Sequence, residues 1–153
     1  FLRDLDPLSR KLRQASRRIS DAARELVGRL GRYPNEEEMA AELGLEVEAY
    51  HGLLADISRS GHARLELSGD ERSLDPSPEA QAAHQELAEF VAQAIEGLPE
   101  RLRMVLGLYY QESCTLREIG EVLGVTESRV CQLHSEAIHL VRGQLGLGRR
   151  GAG

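Results

Sequence analysis

Hydrophobic positions along the chain recur at three- and four-residue steps, and only at those steps over any length. From Leu8 to Arg32, Leu12, Ala15, Ile19, Ala22, Ala23, Leu26 and Leu30 line one side of an amphipathic helix, which Gly31 and Pro34 bring to an end. Residues 79–96 repeat the device with Ala83, Leu87, Phe90, Val91, Ala94 and Ile95. Leu98-Pro99 then opens a helix through LPERLRMVLGLYYQE, where proline suits a first turn and Leu102, Val105, Leu106, Leu108 and Tyr109 make a broad apolar face. Ile138, Leu140, Val141 and Leu145 carry the last helix to about Gly146, and a disordered tail is expected over 147–153. Strand-type alternation is sparse, so the pattern predicts an all-α protein.

The stretch Thr115–Ala137, TLREIGEVLGVTESRVCQLHSEA, organises the rest. Its apolar residues are Ile119, Leu123, Val125, Val130 and Leu133. Gly120 falls where two helices must cross closely. Gly124 falls in the turn, where positive φ is usual, and Thr126 supplies a capping oxygen for the next helix. This is the spacing of a helix-turn-helix. Glu127, Ser128, Arg129, Cys131, Gln132 and His134 are then expected on the outer face of the second helix, polar and short enough to reach base edges in a DNA major groove. An αα-hairpin that only packs would use the same turn.

A second copy lies 80 residues earlier, in PNEEEMAAELGLEVEAYHGLLA. Met39 aligns with Ile119, Ala40 with Gly120, Leu43-Gly44-Leu45 with Leu123-Gly124-Val125, Tyr50 with Val130, and Leu53 with Leu133. Asn35 and Glu38 form a capping-box pair. Glu36, Glu37, Glu42, Glu46 and Glu48 would repel phosphates, so this copy reads as a packing or protein-binding element. Between the copies, residues 58–79 break the helical pattern with Gly61, Gly69, Pro76 and Pro78 among Ser and Asp. The expected organisation is two small helical domains, each with a helix-turn-helix, joined by a flexible acidic linker. The boundaries are 1–57, linker 58–78, and 79–146 with the helix-turn-helix at 115–137.

The composition narrows the function. The chain has 153 residues, 41% hydrophobic and 4% aromatic, with no Trp, so the core must be aliphatic. No apolar run is long enough to span a membrane, and no secretory signal is seen. The chain opens at Phe1 rather than Met, which suggests a fragment or a processed product. Cys114 and Cys131 form no metal-ligand pattern and suit free thiols in a reducing cytoplasm. No catalytic constellation, metal site or cofactor motif is present.

The net charge of −6 is unevenly spread. Residues 1–32 carry +5, residues 33–98 carry −12, and residues 99–153 carry +1. Arg13 and Arg17, within the basic run Arg10–Arg18, are candidates for phosphate-backbone contact, or form a solvated basic face. The acidic middle makes the chain as a whole a weak polyanion binder, so a DNA-reading tail needs help from a partner.

The order of these parts resembles the C-terminal half of a bacterial RNA polymerase sigma factor of the sigma-70 family. LPERLRMVLGLYY and TLREIGEVLGVTESRVCQLHSEAIHLVR look like its flagellar and sporulation branch. FLRDLDPLSRKLRQ and GRYPNEEEMAAELGL look like the entry to and the body of its middle domain. The resemblance covers nearly all of residues 1–146. It implies a protein that directs core RNA polymerase to promoters of a flagellar or motility type, in the cytoplasm. It also implies that Glu127, Ser128 and Gln132 face bases of the −35 element, while Thr115, Leu116, Thr126 and Arg129 hold the backbone. Arg101, Val105, Leu106, Leu108 and Tyr109 would grip the polymerase β flap, with the linker in the cleft toward β′. An anti-sigma factor is an implied partner. The sequence departs from that branch at Asp6-Pro7-Leu8-Ser9-Arg10, where Trp and an Arg-Ser pair are usual, and at Cys131, where Ser or Arg is commoner. A free-standing helix-turn-helix regulator is the alternative, and it would need to dimerise on two half-sites.

Overall fold

A computed structural model describes residues 7–61 and 77–151. Those residues form seven α-helices and one π-helical turn, with no strand among them. The helices are α1 (Pro7–Leu30), α2 (Glu36–Leu43), α3 (Val47–Ser60), α4 (Pro78–Glu96), α5 (Glu100–Leu106), α6 (Leu116–Leu123) and α7 (Glu127–Gly151), with the π turn at Gly107–Gln111 between α5 and α6. Most of the expected linker, and the opening residues 1–6, lie outside the described residues.

Local chemistry explains the helix ends. Asn35 and Glu38 close the capping box expected of them, with Glu38 N donating to Asn35 Oδ1 at 2.8 Å and Asn35 N to Glu38 Oε1 at 2.9 Å. Thr115 and Glu118 form a second box at the start of α6, from a T-x-x-E spacing present in the sequence. Ser77 caps α4, which has proline in its first turn. Pro99 stands at the N-cap of α5, one place before the first helical turn expected of it.

Two features of the last third differ from expectation. The helix after Pro99 does not run straight through Tyr110: it widens into the π turn, and Glu112 N donates to Gly107 O at 3.2 Å. α7 continues to Gly151, past the expected end at Gly146. Internal glycines each weaken a helix by about 1 kcal/mol, yet no proline follows Gly146 in the sequence to stop it.

The core is one continuous cluster. It runs from Ile19, Ala23 and Leu26 of α1 through Met39, Tyr50, Leu54 and Ile57 of α2 and α3. It continues through Leu102 and Val105 of α5 and Ile119 of α6 to Val130, Leu133, Ile138 and Val141 of α7. α7 is the axis of this cluster, packing on α1, α3, α4, α5 and α6. At its crossing with α1 the two backbones nearly touch. A Cβ on Gly143 would lie 2.7 Å from Arg24 N and 2.9 Å from Ala23 Cβ. Tyr33 adds a polar tie between the two halves, its hydroxyl donating to Ala94 O at 2.8 Å.

Candidate nucleic-acid interface

The α6–turn–α7 unit has the geometry its sequence implies. Gly124 sits at φ 72°, in the left-handed region, and Val125 N donates to Gly120 O at 3.0 Å. A Cβ on Gly120 would stand 2.7 Å from Val125 O, so only a residue without a side chain allows α6 to meet this turn. Thr126 Oγ1 accepts from Arg129 N at 3.1 Å and starts α7. The α2–α3 copy repeats the turn: Gly44 has φ 71° and Leu45 N donates to Ala40 O at 2.9 Å. The buried positions correspond too, with Met39 and Ile119, and Tyr50 and Val130, all fully covered.

The residues expected to face DNA fall into two groups. Thr115, Thr126, Glu127 and Ser128 are exposed and Leu116 is half-buried, clustered around the N-termini of α6 and α7. Helix N-termini are suited to contact with phosphate. Arg129 and Gln132 are half-buried, because the first helix-turn-helix lies against them. Arg129 Nη2 donates to Glu36 Oε1 at 2.7 Å, and Arg129 Nη1 donates to Gln132 Oε1 at 3.0 Å. Glu36 also holds His51, with Nε2 to Oε2 at 2.7 Å, and Arg59 Nη2 reaches Ser128 Oγ at 3.4 Å.

Cys131 and His134 are not on an open face, contrary to the expectation for them. They are only 6% and 4% exposed. Ser58 and Arg59 of α3 lie beside Cys131, whose thiol pKa is pushed up by burial. The rings of Tyr109 and Tyr110 lie 4.8 and 6.0 Å from that of His134, and burial lowers its pKa to about 4.

The expected polymerase-gripping set divides similarly. Arg101 and Tyr109 are exposed and Leu108 is half-buried. Val105 and Leu106 are 0% and 2% exposed. They are corrected to core positions, because α5 turns them toward α7. The exposed apolar surface here is instead Met104, Tyr109 and Tyr110. On α1, Arg17 is exposed and Arg13 half-buried.

Sequence reasoning missed the polar seam that joins the halves. Ser16 of α1 hydrogen-bonds His139 of α7, Oγ to Nε2 at 2.7 Å, and His139 Nδ1 donates to Ser135 O at 2.6 Å. Burial holds the pKa of His139 at about 4. Glu136, 6% exposed, sits in the same seam. Helical spacing places 129, 132, 136 and 139 along one stripe of α7, but nothing in the sequence says that the stripe is covered.

Comparison with known proteins decides the family. Residues 14–102 match Sigma-70 region 3 and residues 94–143 match Sigma-70, region 4. The chain belongs to the sigma-70 family. Among sigma-70 relatives, it is 40% identical over 156 residues to RNA polymerase sigma factor FliA of Escherichia coli K12, covering 95% of this chain and 65% of that protein. It is 40% identical over 147 residues to RNA polymerase sigma factor FliA of Pseudomonas aeruginosa PAO1, covering 89% and 59%. A solved flagellar sigma/anti-sigma complex, Sigma-28/FlgM, aligns with 32% identity and a TM-score of 0.46 over 90% of this chain and 62% of that one. The chain thus spans less than two thirds of the length of these relatives.

Proposed function

We propose that this chain is the promoter-reading part of a flagellar-type sigma factor. In this role it binds core RNA polymerase in the cytoplasm and presents the α6–α7 helix-turn-helix to the −35 element. The observation that carries the reading is the α6–Gly124–α7 geometry. Its exposed N-terminal rim (Thr115, Thr126, Glu127, Ser128) belongs to residues that match region 4. Thr115, Leu116, Thr126 and Arg129 serve the DNA backbone, and Glu127, Ser128 and Gln132 the bases. Arg13 and Arg17 supply backbone contacts from α1. Arg101, Leu108, Tyr109, Met104 and Tyr110 form the polymerase-facing surface. The described helices act as two separable units, and an anti-sigma factor of the kind named in the Sigma-28/FlgM complex is the natural regulator. No chemistry is performed by the chain itself.

In the arrangement described, Glu36 occupies Arg129 and α3 covers the middle of α7. Insertion of α7 into a groove therefore requires α1–α3 to move off it, and polymerase binding is the step that holds them apart. The test is anisotropy of a labelled −35 duplex titrated with this chain, with and without core polymerase. Tight, sequence-selective binding only with core supports the proposal. Equal binding without core, by a dimer, would establish the free-standing regulator instead. Within the supported case, Gln132→Ala relaxes preference at one base position and Arg129→Ala weakens binding to every sequence.

A further inference from the structure

The seam between α7 and the first helical group holds several polar atoms that its packing does not satisfy. Tyr50 Oη, Ser135 Oγ and Glu136 Oε2 are buried without a close hydrogen-bond partner, although the Tyr50 hydroxyl stands near enough to Glu136 to favour its ionised form. Buried polar groups are nearly always paired, and an orphaned one is destabilising. Glu136 is the most costly of these if ionised. It is 6% exposed, and fully buried Tyr50 lies beside it. The cation that would neutralise it is already taken: Arg129 is bound to Glu36 at 2.7 Å and to Gln132 at 3.0 Å.

We propose that Glu136 is a proton-operated latch on the DNA-reading helix. Its carboxyl is protonated when α7 is closed against α2 and α3, and it loses that proton when α7 swings free. The latch deepens the proposed function, since it regulates exposure of the helix assigned there to DNA.

The charges around the latch define its direction. From α2, Glu36 and Glu37 disfavour ionisation of Glu136. From α3, Tyr50 opposes that effect, and His51 is held by Glu36. From α7, Arg129 also opposes it; His134, two residues earlier, packs against Tyr109 and Tyr110, and His139 and Arg142 lie further along the helix. From α1, Ser16 faces His139 rather than Glu136. Burial dominates, followed by Glu36, and the Glu136 carboxyl rises from 4.5 to about 7. A group whose pKa is raised in the closed state favours closure fully below its ordinary value, and that contribution is lost as pH rises through the raised value. Glu136 therefore favours opening as pH climbs past neutrality. His139 acts with the opposite sign, because its pKa is lowered to about 4. The test must isolate Glu136 from it.

Cys131, buried beside Ser58 and Arg59 of α3, reports opening through its alkylation rate in a Cys114→Ser background. The measurement compares the full chain with its Glu136→Gln variant at pH 6 and pH 8, so that the His139 contribution and the thiol's own titration cancel in the ratio. The closing constant of the native chain relative to the variant is expected to fall about tenfold between those pH values. A ratio that does not change with pH overturns the latch. A carbon-13 NMR titration of the unsubstituted chain covers the case of a variant that does not fold. A Glu136 carboxyl titrating near neutrality supports the latch, and one titrating below about pH 5 overturns it. Neither measurement contains DNA or polymerase, so failure of the latch and failure of the promoter-reading proposal are separately visible.

Discussion

The crossing of α1 and α7 at Gly143 gives the sharpest test of whether the closed arrangement is written into the chain. Replacing Gly143 with Ala puts a methyl group 2.7 Å from Arg24 N, 2.9 Å from Ala23 Cβ and 3.1 Å from Ala23 C. Two of those three atoms are backbone, so no rotamer change relieves the contact and one helix must shift. Overpacking of this kind costs about 1–3 kcal/mol, but only while the helices are together. The gain in helix propensity, about 1 kcal/mol for Gly to Ala, applies whether α7 is closed or free, so it cancels from the closing equilibrium. At about 1.4 kcal/mol per factor of ten, the closing constant should drop by a factor between about five and 150.

Gly146→Ala on the same helix is the matched control. Its Cβ would meet Arg24 Cδ at 3.2 Å, the middle of a flexible side chain that can turn away. The assay is alkylation of Cys131 in the Cys114→Ser background, with circular dichroism to verify helicity. Faster labelling is expected for Gly143→Ala and unchanged labelling for Gly146→Ala. The reasoning fails if Gly143→Ala labels no faster than the parent, or if the two variants accelerate equally.

Three further outcomes follow from the same structure. Gly124→Val should destabilise the chain by at least about 1–2 kcal/mol, the cost of a left-handed backbone for a residue with a Cβ. An added Cβ there meets nothing within 4 Å, so a melting temperature equal to the parent's would contradict the turn. Tyr33→Phe removes the hydroxyl that donates to Ala94 O, and should cost about 1 kcal/mol in urea unfolding while raising the Cys131 labelling rate. His139 is lowered from 6.5 to about 4, so its contribution to closure is complete above pH 6.5 and is lost as pH falls through 4. In the Glu136→Gln chain, the radius of gyration by X-ray scattering should therefore grow between pH 5 and pH 4. A constant radius would mean that His139 stays buried regardless.

Much of this protein is determined locally, and that part was legible in the sequence. Helix periodicity, the Asn35-x-x-Glu38 box and the two Leu-Gly-Leu/Val turns act over a few residues. Gly44 and Gly124, 80 residues apart, accordingly adopt the same conformation with φ near 71–72°. Gly120 was readable for the same reason, since the helix it must clear begins only seven residues on, at Glu127. The widening at Gly107–Gln111 was not readable. A helix-forming run gives no local sign of a π turn, and here Tyr109 and Tyr110 of that turn lie against His134 of α7.

Tertiary structure alone decided which polar residues of α7 meet water. The stripe of Arg129, Gln132, Glu136 and His139 is polar, and the sequence pattern pointed its first two residues at DNA, yet α1, α2 and α3 cover it. Burial of a polar stripe depends on partners more than 75 residues away: Ser16 for His139, Tyr50 for Glu136, Glu36 for Arg129. Hydrophobic periodicity specifies which side of a helix seeks a core. It carries no information about a second surface that is held by charge, hydrogen bonds and the close fit of Gly143 on Ala23.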